Sequence, residues 1–125
     1  MARILIAEDE EALCAMCARA LATDGHDVKT ASDGSDALDM LTREDGRFDL
    51  LLTDVRMPIM DGIALSLTAA RDFPNLTILL MTGYADQRER AYGLDALIHD
   101  VITKPFTLAT LRSAVNEALT VKARG

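Results

Sequence analysis

Residues 48–62 read FDLLLTDVRMPIMDG. Leu50 to Leu52 is an apolar run of strand length. It reaches a carboxylate at Asp54, then turns through Met57-Pro58 and Asp61-Gly62. An acid at the end of a hydrophobic strand costs free energy unless it has a partner or a job. The sequence on either side supplies Asp54 with both.

Towards the N-terminus, Arg3 to Ala7 (RILIA) is another continuous apolar run and reads as a buried parallel strand. It ends at Glu8, Asp9 and Glu10, with Glu11 following. Leu13, Met16, Cys17, Ala20 and Leu21 recur at helical spacing and mark a buried face, and Gly25 ends that helix. Val28 to Ala31 is a second strand. Ser32 to Gly34 turns the chain into a helix marked by Ala37, Leu38 and Leu41, which Gly46 closes. The third strand runs from Phe48 to Thr53, with Asp54 at its end.

Towards the C-terminus, Ile63, Leu67 and Ala70 mark a third helix that ends before Pro74. Leu76 to Met81 is a fourth strand, ending at Thr82-Gly83. A polar, weakly amphipathic helix follows from about Asp86 to Leu94. Leu97 to Thr103 contains the fifth strand and ends at Lys104-Pro105. Thr107 caps a last helix with Leu108, Leu111, Val115 and Leu119 on its buried side, and Val121 to Gly125 is expected to fray.

The pattern is strand–helix repeated five times, which defines an α/β fold with a parallel sheet covered on both faces. In such sheets ligands bind beyond the C-terminal strand ends. The polar residues there are Glu8, Asp9, Asp54, Thr82 and Lys104.

With 125 residues the chain makes one domain. Its net charge of −7 argues against nucleic acid as a direct partner and fits a protein that meets basic patches or divalent cations. The N-terminal apolar run is too short for a signal peptide, and no segment is long enough to span a membrane. Two cysteines without a secretory signal point to a reducing, cytoplasmic setting.

Carboxylates brought together repel one another and call for a cation or for protons. Hard oxygen ligands favour Mg²⁺. Lys104 adds a fixed positive charge and Thr82 a hydroxyl. Such groups around one carboxylate stabilise the spread charge of a transferring phosphoryl group. Asp54 would be the nucleophile, giving an aspartyl phosphate, while Asp9 and Glu8 would hold the metal.

In these pieces the chain resembles a bacterial response-regulator receiver domain along its whole length: Glu8-Asp9 after strand one, Asp54 in LTDVRMPIMDG, Thr82 in LLMTGYA and Lys104 in ITKPF. The resemblance implies a doubly wound (βα)5 sheet of order 2-1-3-4-5. It also implies a phosphoryl group received from a histidine kinase or a histidine phosphotransfer protein, with Mg²⁺ required. Carried over, Asp54 is the acceptor, Asp9 a direct metal ligand, Glu8 a ligand through water and the Arg56 carbonyl a further ligand. Thr82 and Lys104 bind the phosphoryl oxygens, and the Lys104-Pro105 bond is cis. Residues 1–125 form the receiver domain, no output domain follows, and a monomer or weak dimer is expected. The chain is no enzyme beyond its own aspartyl phosphorylation and dephosphorylation.

Three features depart from the pattern. The switch position three residues before the lysine, often an aromatic ring, is Val101, so a relay between Thr82 and a buried ring cannot operate in its usual form. Arg56, two residues after the acceptor, and Tyr84, two after Thr82, stand at positions that the resemblance implies flank the path of attacking water. The chain ends just after its fifth helix.

The opening RILIAEDE, the LLLTDVRMPIMDGI segment, the MTGYA loop and the valine before ITKPF are similar to the CpdR-type receivers of alphaproteobacteria. That likeness implies a phosphorylation-controlled adaptor for the ClpXP protease, with recruitment to the cell pole and consequences for the cell cycle. Rival readings are a phosphorelay shuttle, a chemotaxis-type receiver, an Asp-nucleophile phosphatase and a flavin or nucleotide carrier. Arg56, two residues after Asp54, stands where the phosphatases have a general-acid aspartate. Acids rather than a phosphate-cradling loop follow strand one, which disfavours the carrier. Cys14 and Cys17 make a C-x-x-C inside the first helix and read as structural. His26 and His99 lie beside strand starts and read as surface or edge residues. The small residues Ala12, Ala15 and Ala18 would let a histidine-bearing helix bundle approach the first helix, as the resemblance implies.

Overall fold

The short apolar runs become strands in a computed structural model, whose described residues are 2–83, 94 and 96–124. They are β1 (Arg3–Ala7), β2 (Asp27–Ala31), β3 (Leu50–Asp54), β4 (Thr77–Thr82) and β5 (Asp100–Thr103). They form one sheet of order β2-β1-β3-β4-β5 in which every neighbouring pair is parallel. The central strands are apolar at almost every position because helices cover both faces. The edge strand β2 carries the exposed Lys29 and Thr30, which discourage further pairing.

The described helices are α1 (Glu11–Thr23), α2 (Gly34–Arg43), α3 (Gly62–Asp72) and α4 (Leu108–Arg124). Side chains alternate across the sheet, so each strand feeds two cores. Leu5, Leu51 and Leu80 pack under Leu41 of α2 and Leu65 of α3. Ile6, Leu52 and Leu79 pack under Leu21 of α1 and Val115 of α4. All ten of these side chains are fully buried, each contributing about 1.5–3 kcal/mol by leaving water.

Element ends follow local chemistry. Gly25 and Gly46, at φ of 93° and 70°, terminate the chain's first two helices. Thr107 Oγ1 accepts from the Thr110 N–H at 3.1 Å and caps α4.

Several sequence expectations need correction. In α3 the buried face is Gly62, Leu65, Ser66 and Ala69, whereas Leu67 is exposed and Ile63 and Ala70 are half-buried. The cause is Gly62: a Cβ there would lie 2.0 Å from the Asp54 carbonyl oxygen, so the helix begins pressed against β3. Residues three, four and seven positions on then face the sheet. Met16 of α1 is also exposed, and in α4 Ala118 is buried while Leu108 and Leu119 are half-buried. Helix α4 continues through Val121 to Arg124 instead of fraying. Strand β3 starts at Leu50, not Phe48, and takes in Asp54. Strand β5 is confined to Asp100–Thr103. The expected helix over Asp86 to Leu94 lies outside the described residues, apart from Leu94, which is buried in a turn.

Candidate functional site

Parallel register brings the strand ends together. Ala7 stands opposite Thr53, Asp54 opposite Met81 and Thr82 opposite Thr103. The next residues along the outer strands are therefore Glu8-Asp9 on one side of Asp54 and Lys104 on the other. Carboxylate oxygens of Glu8, Asp9 and Asp54 lie within 4.8 Å of one another. Glu8 and Asp54 are buried, and Asp9 is exposed.

Lys104 reaches into this cluster. Its Nζ lies 2.8 Å from Glu8 Oε1 and 3.2 Å from Asp54 Oδ1. The other Glu8 oxygen, Oε2, accepts from the Glu10 N–H at 3.0 Å. The Lys104 N–H donates to the Thr82 carbonyl at 2.8 Å, which ties the lysine's backbone to the end of β4. The Lys104-Pro105 bond is cis, as expected.

The electrostatics are those of an overcrowded acid site. Burial pushes the Asp54 carboxyl above the usual carboxylate range, and the nearby Lys104 ammonium only partly offsets it. Burial raises Glu8 as well, against the Lys104 and Glu10 hydrogen bonds. For Lys104 burial alone would lower the pKa, but the Glu8 hydrogen bond and the Asp54 charge hold it above its ordinary value. The lysine is charged at neutral pH and faces a cluster of three carboxylates.

The cluster opens into a cavity of about 890 Å³. Asp54, Glu8, Asp9 and Lys104 line its polar side, and Leu13, Met16, Pro58 and Phe106 are among its apolar lining. Arg56 is exposed and also lines it. Thr82 is buried at the end of β4. Val101 sits half-buried in β5, packed against the core under α2 and α3. Tyr84 lies outside the described residues. Cys17 is buried and Cys14 half-buried, and burial pushes the Cys17 thiol up to about 11. His26 Nδ1 accepts from the Ala2 N–H, and His99 Nε2 lies 3.6 Å from Glu117.

Gly62 was missed as a site residue. It keeps α3 against the Asp54 backbone, while its N–H donates to the Val55 carbonyl at 2.8 Å. The Asp-Gly signal was visible as a turn, and Asp61 indeed caps α3 by accepting from the Ala64 N–H. Its closeness to Asp54 depends on tertiary packing, which a turn signal does not carry.

The pattern of the response regulator receiver domain matches residues 4–116, and the chain belongs to that family. A curated relative, the response regulator MprA of Mycobacterium leprae (strain TN), is 36% identical over 117 residues, 94% of this chain and 50% of the relative. The chain thus spans about half the length of the curated relatives it matches. A receiver domain structure from Clostridium thermocellum superposes with a TM-score of 0.89 at 26% identity, covering 98% of both chains. A CheY-like receiver from Methanospirillum hungatei JF-1 gives 0.89 at 28%, covering 98% of this chain and 96% of its own. TrrA of Thermotoga maritima, solved in complex with Mg²⁺ and BeF, shares the fold with a TM-score of 0.82 at 24% identity, over 94% of this chain and 99% of its own.

Receiver domains act in two-component signalling, are phosphorylated on aspartate and bind Mg²⁺ at an acidic pocket. The donor set here fits that ion: hard carboxylate oxygens, closely spaced, with a net negative charge to neutralise. Among the described residues no helix is long and apolar enough to cross a membrane.

Proposed function

We propose that Asp54 is the phosphoacceptor of a two-component or phosphorelay pathway, taking its phosphoryl group from the phosphohistidine of a histidine kinase or a histidine phosphotransfer protein. The observation that carries this reading is the buried Asp54 carboxylate, with Lys104 Nζ at 3.2 Å and two further carboxylates beside it. An Asp54 oxygen attacks phosphorus, the P–N bond breaks, and its electron pair returns to the departing imidazole. Lys104 and Thr82 hold the phosphoryl oxygens as negative charge spreads over them. When bound, Mg²⁺ neutralises the acid cluster and the incoming phosphoryl charge. Asp9, Asp54 and the Arg56 carbonyl would hold it directly. Both Glu8 oxygens already accept hydrogen bonds, which favours a Glu8 contact through water.

Phosphorylation switches which proteins the domain contacts, in the cytoplasm. The likeness of RILIAEDE, LLLTDVRMPIMDGI and ITKPF with its preceding valine to CpdR-type receivers supports a finer proposal. In it the unphosphorylated form is an adaptor that delivers substrates to ClpXP at the cell pole and so acts on the cell cycle. Val101 in place of a ring supports a switch that is read out without a threonine–aromatic relay. The rival is a shuttle that passes its phosphoryl group to another histidine protein.

Incubation with acetyl phosphate and Mg²⁺ should add one phosphoryl group, and omission of Mg²⁺ or the substitution Asp54→Asn should abolish the gain. Equal labelling of Asp54→Asn would sink the acceptor assignment. For the adaptor reading, Asp54→Ala should be retained on immobilised ClpX and the phosphorylated protein released. Retention of both forms alike would favour the shuttle.

A further inference from the structure

Ile59 is exceptional in two independent respects. It is the most accessible large apolar side chain among the described residues, 85% exposed. Its backbone also sits at φ of 69°, in the left-handed region. A β-branched residue is disfavoured there, because Cβ crowds the following carbonyl oxygen. Asp45, the other described non-glycine residue at positive φ, belongs to a residue type that tolerates the conformation through local hydrogen bonding. Ile59 has no such recourse, and neither apolar core takes up its side chain.

The loop that carries Ile59 is pinned. The Gly34 N–H donates to the Met60 carbonyl at 3.0 Å, and a Cβ at Gly34 would meet that oxygen at 2.3 Å. The Met60 N–H donates to Pro58 at 2.7 Å, and Gly62 closes the loop onto Val55 at 2.8 Å. Strain held by a well-determined backbone is a mark of functional segments. Here it presents an apolar side chain to solvent, next in sequence to Pro58 at the mouth of the Asp54 cavity. Leu13, Met16 and Phe106 line the same cavity.

We infer that Ile59 is a specificity-determining anchor for the protein that donates the phosphoryl group, seated in an apolar depression beside the donor's phosphohistidine. This rests on the reading of Asp54 as acceptor. The donor is the occupant because it must bring its imidazole into the cavity lined by Pro58, the residue that immediately precedes Ile59. A second copy of this chain seated there would obstruct that route. Ile59 forms no part of the reacting constellation.

Two phosphodonors separate docking from chemistry. One is acetyl phosphate, which needs no docking surface. The other is the ³²P-labelled cytoplasmic portion of the histidine kinase that labels the wild type fastest among those of the source genome. Ile59→Asn removes the apolar group and tolerates the left-handed backbone; Ile59→Leu restores an apolar group. Ile59→Asn should melt no lower than wild type and react with acetyl phosphate within about twofold of it, as a substitution away from the reacting atoms does. Its kcat/KM with the kinase should fall about tenfold or more, chiefly through KM, as loss of a buried apolar anchor does. Ile59→Leu should recover most of that loss. Three results would overturn the inference: an unchanged kinase rate for Ile59→Asn, an equal loss with both donors, or a wild-type dimer that Ile59→Asn dissociates in sedimentation. Failure of acetyl phosphate to label wild-type Asp54 would instead defeat the acceptor reading itself.

Discussion

The two ends of the sheet handle charge in opposite ways. At the N-terminal edge, Arg3 is surrounded by acceptors. Its Nε lies 3.3 Å from Asp27, its Nη2 2.7 Å from Glu44, and its Nη1 donates to the Arg47 carbonyl at 2.6 Å. The guanidinium also stacks 4.7 Å from the Phe48 ring centre, and the Arg3 N–H donates to Asp49 at 2.8 Å. These groups are solvated, and each guanidinium nitrogen has an acceptor. At the C-terminal edge one lysine serves a cluster of three carboxylates, two of them buried. The first arrangement closes the fold. The second leaves an electrostatic deficit that a metal and a phosphoryl group can relieve, and such deficits belong to functional sites.

Removing Lys104 should break the second end hardest. Lys104→Met strands the buried Glu8 and Asp54 without their cation, and urea denaturation without Mg²⁺ should register a loss of about 3 kcal/mol. Adding Asp54→Asn to that variant should restore part of the loss; no recovery would mean that the two groups are not coupled. Cys17 provides a contrast in the core between the two ends, a buried acid with no deficit at neutral pH. Its folded pKa of about 11 exceeds the ordinary 9.0. The thiol's contribution is therefore fully present below pH 9 and lost as pH rises towards 11, by about 2–3 kcal/mol. Cys17→Ala should start from a lower stability and lose that component of the slope.

Asp54 obeys the same sign. Its folded pKa is raised, so its contribution is present below the ordinary carboxylate range and lost as pH climbs through that range. At pH 7 without Mg²⁺, Asp54→Asn should therefore melt above wild type. Added Mg²⁺ should raise the wild type and narrow the gap, because a ligand of the folded state stabilises by mass action. A wild type that already melts higher than Asp54→Asn without metal would contradict the deficit. Arg3→Met at the solvated end should have the smallest effect, lowering Tm by no more than about 3 °C.

Much of this was legible from residues because parallel strands advertise themselves. RILIA and LLLTD are continuous apolar runs with polar residues at their ends, and parallel pairing sets those ends side by side. Strand pattern alone thus places Glu8, Asp9, Asp54 and Lys104 at one edge of the sheet. The buried face of α3 could not be read this way, because Leu67 fits a helical stripe as well as Leu65 does. Contact between Gly62 and the Asp54 carbonyl chooses between them. The exposure of Met16 beside the cavity was hidden likewise: apolar spacing shows which residues share a helix face, but not how far the neighbouring helix covers it. Ile59 looked like one more apolar letter in MPIMDG, since a sequence carries no sign of φ.

The central claim is that, of three carboxylates within 4.8 Å, Asp54 takes the phosphoryl group. Borohydride reduction of the acetyl phosphate-treated protein, followed by peptide mass spectrometry, tests this by residue, because an acyl phosphate is reduced to an alcohol. The account predicts homoserine at position 54 with Glu8 and Asp9 unchanged. Reduction at Asp9 or Glu8, with Asp54 intact, would contradict it.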